Sequence, residues 1–127
     1  VSPQTVSSSF VDACAASFRA RLAAERAAAA ERGSDLRARA RAAARRLADE
    51  HGASRVWLFG SLAWGRAHVA SDVDLLVEGL PAEAWSAASA LVEAEIGAAV
   101  DLVRIEEASP GLEERVRSQG VLLHGAR

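Results

Sequence analysis

The 127-residue chain suits one compact domain with a modest core, and a formal net charge of -2 argues against bulk nucleic-acid binding by charge. All fifteen basic residues are arginine and tyrosine is absent; the abundance of Ala and Arg reads as a GC-rich coding habit and carries no functional weight. A single cysteine, Cys14, rules out an internal disulfide, no stretch approaches the ~18 consecutive apolar residues of a membrane span, and no secretory signal pattern opens the chain, so a soluble cytoplasmic protein is expected.

In chain order, residues 1–8 are polar and expected to fray. Ser9 followed by Asp12 resembles a capping box opening a helix, along which Phe10, Cys14, Phe18 and Leu22 recur every fourth residue. Gly33 reads as the end of that helix and Ser34 as the cap of the next, which runs to about Glu50 with Leu36, Ala40, Ala43 and Leu47 on one side. Residues 9–50 are therefore expected to form a helical hairpin. The Phe10 stripe would pack on the second helix or serve a subunit interface. "RVWLFG" from Arg55 is a short apolar strand ending in glycine, and "SDVDLLVEGL" is a second strand. Pro81 opens a helix over 81–97, "AAVDLVRI" is a third strand, Ser109-Pro110 opens a short helix to about Ser118, and "GVLLHG" is a last short strand. The expected order is ααβ(turn)βαβαβ: one α/β (α+β) domain over 9–127, with the hairpin at 9–50 and a catalytic core at 51–124. No internal repeat or low-complexity linker interrupts it.

Asp72 and Asp74 stand two residues apart, so on an extended strand they share a face. Two such carboxylates repel, and burial raises the cost; a divalent cation relieves both. Oxygen ligands of this kind suit Mg²⁺, which takes one or two protein carboxylates and completes its shell with water and phosphate oxygens. Gly60-Ser61 ends the preceding strand. Glycine permits close backbone approach, and a helical turn starting at Ser61 presents free N–H groups to an anion such as phosphate. Asp101 lies within a third apolar run, where an acid in a central strand needs a partner: the same metal site, or a salt bridge to Arg104 or Arg55. Three carboxylates of this kind can hold two metal ions for an in-line phosphoryl or nucleotidyl displacement.

Gly60-Ser61, ten residues, then Asp72-x-Asp74, with a third acid at Asp101 in "VDLV", resembles the signature of the DNA polymerase β nucleotidyltransferase superfamily. The ending "VDLVRIEEASPGLEERVRSQGVLLHG" resembles the minimal nucleotidyltransferase (MNT) family, and the likeness covers roughly residues 50–124. The resemblance implies a nucleotidyltransferase fold, a mixed β-sheet flanked by helices. It implies nucleotide contacts from Gly60, Ser61, Arg66 and Ser71, and coordination of Mg²⁺, two ions with nucleotide bound, by Asp72, Asp74 and Asp101. Asp101 would also help activate the attacking hydroxyl. The implied activity is transfer of AMP from ATP to a tyrosine of a HEPN-type RNase toxin encoded nearby, which makes the chain an antitoxin. With no tyrosine in this sequence, such an acceptor must lie on another chain. The rival readings are a small-molecule nucleotidyltransferase of the aminoglycoside-modifying kind and a binding antitoxin without catalysis. A homodimer or a hetero-oligomer fits either antitoxin reading.

One position departs from the family's usual "GSxARG": here "GSLAWG" puts Trp64 where an arginine is common. Arg66, two residues on, is the candidate substitute for that charge, and Trp64 is expected to pack rather than to stack on a base. Arg37 to Arg46 spread around their helix as a solvated surface. His68 reads as a loop residue, and Glu106 and Glu107 as exposed. No Cys/His zinc spacing and no Ser-His-Asp pattern occurs.

Overall fold

A computed structural model of the chain describes residues 7–64 and 72–126. One helix, α1 (Ser8–His51), leads into β1 (Arg55–Phe59) and β2 (Val73–Glu78). A 3₁₀ turn and α2 (Trp85–Ile96) carry the chain to β3 (Val100–Arg104), and a second 3₁₀ turn, α3 (Pro110–Gln119) and β4 (Val121–His124) complete it. The four strands form one mixed sheet in the order β3-β2-β1-β4. β1 pairs antiparallel with both β2 and β4, whereas β2 and β3 are parallel, which requires the crossover that α2 supplies.

The expected helical hairpin at 9–50 is not formed. α1 is a single helix of 44 residues, about 66 Å long at 1.5 Å per residue. Gly33 keeps helical backbone rather than the positive φ that a helix-ending glycine adopts. A lone glycine costs a helix only about 1 kcal/mol relative to alanine, and the flanks are rich in alanine. Asp35, beside the expected cap Ser34, instead pairs along the helix with Arg32 at 3.8 Å and Arg39 at 3.1 Å. The true end is Gly52, left-handed at φ 74°, whose N–H closes on Ala48 and Leu47. The true start is Ser7, whose Oγ accepts from the Phe10 N–H, two residues before the expected cap at Ser9.

Without a second helix to fold back on, the Phe10 stripe stays open: Phe10 is 59% exposed and Phe18 55%. No residue of α1 before Gly33 is buried, whereas Leu36, Ala40, Ala43, Ala44 and Leu47 are, against the sheet and α2. Later elements follow the sequence closely. Ser109 caps α3 through Leu112 N–H with Pro110 in the first turn, Gly97 ends α2, and "VLLH" is the last strand.

Alternation along the strands gives the sheet two unlike faces. Val56, Leu58, Val73, Leu75, Val77 and Leu102 point to the main core under α1 and α2. Trp57, Phe59 and Leu76 point the other way, into a smaller cluster closed by Val116 of α3 with Trp64 and Leu112. Among the described residues no helix is long and apolar enough to cross a membrane.

Candidate active site

β1, running antiparallel to β2, ends where β2 and β3 begin, so Gly60, Asp74 and Asp101 meet at one end of the sheet. In register, Asp74 lies opposite Phe59 on one side and Asp101 on the other. Paired residues of parallel strands point to the same face, here the face of the smaller cluster. Asp74 is half-buried, Asp101 is exposed, and Asp72 is exposed just before β2 begins. The expectation of a central-strand acid at Asp101 is corrected by the strand order. β3 is an edge, so water reaches this carboxylate and no buried partner is required. The alternative of a salt bridge from Asp101 to Arg104 or Arg55 is not taken: Arg104 pairs with Glu107 at 3.1 Å and Glu106 at 3.7 Å, and Arg55 with Glu78 at 3.1 Å.

The carboxylates feel one another. Burial pushes the Asp74 carboxyl above its ordinary value, and the charges of Asp101 and Asp72 push it further. Among the described residues no three Asp, Glu, His or Cys side chains converge closely enough to chelate an ion as they stand. A Mg²⁺ ion, however, needs only one or two carboxylates and takes its other oxygens from water and phosphate. The repulsion that Asp101 and Asp72 exert on Asp74 is of the kind a divalent cation relieves with one or two of these carboxylates as ligands.

Gly60 is shaped by the same crowding. Its φ is 78°, and a Cβ there would run into Asp74 Oδ2. Only glycine meets both demands, and the backbone of β1 thereby passes directly against the carboxylate. From Gly60 the chain makes one helical turn, closed by the Trp64 N–H donating to the Gly60 carbonyl at 3.1 Å. The half-buried Ser61 begins that turn. Arg37 of α1 holds it from one side, donating to the Leu62 carbonyl at 3.4 Å.

Trp64 packs, as expected. Its indole N–H donates to the Gln119 carbonyl at 3.1 Å, and the Arg115 guanidinium lies over its ring at 4.1 Å from the centroid. Sequence reading missed Arg115 and Gln119 because nothing local signals that α3 returns to this turn. Arg66, Ser71 and His68 lie outside the described residues. A surface cavity of about 490 Å³ is lined by Pro110, Glu113, Glu114, Arg117 and Ser118 of α3 and by none of the site carboxylates.

A mixed sheet of this topology, with acids in register on adjacent parallel strands beside a Gly-Ser turn, defines a nucleotidyltransferase. The Polymerase beta nucleotidyltransferase family matches residues 44–126, and the chain belongs to that family. Among solved structures it is similar to a toxin–antitoxin with AMP-PNP, at 27% identity and TM-score 0.60, over 68% of this chain and 74% of that one. A protein described as a candidate minimal nucleotidyltransferase is 37% identical with TM-score 0.60, over 70% of this chain and 93% of that one. The MntA-HepT toxin–antitoxin is 27% identical with TM-score 0.50, over 65% and 66%. No curated protein matches the chain.

Proposed function

We propose that this protein is a cytoplasmic, Mg²⁺-dependent adenylyltransferase that moves AMP from ATP to a hydroxyl of a HEPN-type toxin and thereby acts as its antitoxin. The observation that carries the reading is the register of Asp74 with Asp101, with Asp72 close by, against the backbone of Gly60. Likeness to a toxin–antitoxin with AMP-PNP supports both the nucleotide and the kind of partner. The absence of tyrosine from this chain puts a tyrosine acceptor on the partner.

In this reading Asp72, Asp74 and Asp101 hold Mg²⁺, which when bound neutralises charge on the triphosphate and the leaving group. Ser61 and the backbone after Gly60 orient the phosphates. The acceptor hydroxyl oxygen bonds to the α-phosphorus as the bond from that phosphorus to the bridging oxygen breaks, and pyrophosphate departs. The exposed Asp101 carboxylate accepts the hydroxyl proton. Asp74 stays ionised to do its work, against the tendency of its surroundings to protonate it.

The test is intact-mass spectrometry of the co-encoded toxin after incubation with this protein, ATP and Mg²⁺, beside the Asp72→Asn/Asp74→Asn variant. A gain of AMP mass with the native protein and none with the variant is expected. Full neutralisation of the toxin without any mass gain would replace transfer with inhibition by binding alone.

A further inference from the structure

Two arginines of α3, two residues apart, stack on two tryptophans of the smaller cluster. Arg117 lies over Trp57 at 5.1 Å and is also neutralised, by Glu113 at 3.2 Å and Glu78 at 3.9 Å. Arg115 lies over Trp64 at 4.1 Å and donates from Nε to the Gln119 side-chain carbonyl at 3.4 Å. Among the described residues no carboxylate pairs with it. Most of its guanidinium donors remain unspent, on an exposed side chain. The anchoring ring is that of Trp64, whose backbone closes the turn on Gly60, and Gly60 touches Asp74. Arg115 is thus an uncompensated, oriented positive charge on the carboxylate face of the sheet, tied to the turn beside those carboxylates.

A site holding three carboxylates repels a polyphosphate unless fixed positive charge meets the phosphate oxygens. Guanidinium suits this task, because it stays charged and its planar fork bonds two phosphate oxygens at once. Resting on the nucleotidyl-transfer reading, we infer that Arg115, held in place by the Trp64 ring and Gln119, contacts the β- and γ-phosphates of the bound nucleotide. The charge this chain lacks at position 64 is supplied from α3 across the ring that stands there. Arg117, spent on Glu113 and Glu78, takes no part.

The experiment is titration calorimetry with α,β-methylene-ATP and Mg²⁺, and separately with AMP, on the native protein and on Arg115→Gln, Arg115→Lys and Arg117→Gln. Arg115→Gln should weaken binding of the triphosphate analogue at least tenfold and flatten its salt dependence, while AMP affinity stays within twofold. Arg115→Lys should recover part of the loss, and Arg117→Gln should bind as the native protein does. Melting temperatures of the variants separate a lost contact from a lost fold. Triphosphate affinity of Arg115→Gln within twofold of native, or an equal loss for AMP, would overturn the inference while leaving the transfer reading intact. Native protein that binds no triphosphate would overturn both.

Discussion

Leu75 and Asp74 are neighbours on β2, yet they belong to different proteins in physical terms. Leu75 faces α1 and α2 and is fully buried among Leu58, Val73 and Leu102; Asp74 faces α3 and is half-exposed among other carboxylates. One face of the sheet is closed by two helices and is apolar but for Arg104 at the end of β3, whose Nε donates to the Leu80 carbonyl. The other carries a four-residue buried cluster, charged strand residues and the candidate site. The difference teaches that a domain this small separates its tasks by strand alternation: odd-numbered positions of β2 build the main core, while on the other face Leu76 packs the smaller cluster and Asp74 is released for chemistry.

The strongest way to break this division is to cut the apolar face. Leu75→Ala removes a fully buried side chain and should cost about 2–5 kcal/mol in urea unfolding, with the slope of the transition unchanged. If the loss is below about 1 kcal/mol, the main core is not the source of stability. A second cut falls on the boundary between the two tasks. Gly60→Ala forces an L-residue to φ 78°, costing about 1–2 kcal/mol, and drives its Cβ into Asp74. Its stability loss should be smaller than that of Leu75→Ala, but AMP transfer to the toxin should disappear. Retained transfer at native rate would separate Gly60 from the site.

Much of this was legible because it is local. Period-two alternation, the Gly-Ser ending of β1, the Asp-x-Asp spacing and the Ser109-Pro110 cap are decided within a few residues, and the fold honours them. Gly33 misled because its cost in a helix is small beside the propensity of the alanines around it, so chain statistics overrode a single stop signal. Strand order is non-local, and it decided that Asp101 sits on an edge in water rather than in the centre. The same holds for Arg115: its role depends on α3 meeting the turn after β1, a contact between residues 64 and 115 that no pattern in either segment announces.

The gentlest change on the functional face should act with the opposite sign. Asp74 has a folded-state pKa raised by burial and by the charges of Asp101 and Asp72. Between its ordinary value and that raised value the folded state binds more protons than the unfolded chain, so stability falls as pH rises through the window. Above the raised value the whole penalty of holding the ionised carboxylate is present; below the ordinary value there is none. Asp74→Asn removes the charge and should therefore melt slightly above the native protein at pH 7 in EDTA. That advantage should shrink to nothing as the pH falls below the ordinary aspartate range. Mg²⁺ offsets the same repulsion by another route, so it should raise the melting temperature of the native protein more than that of the variant. Calorimetric melts from pH 3 to 7, with and without the ion, measure both effects. A variant less stable than native at pH 7 without metal would mean that Asp74 is held by the fold rather than strained by it, and the division between the two faces would fail at its central residue.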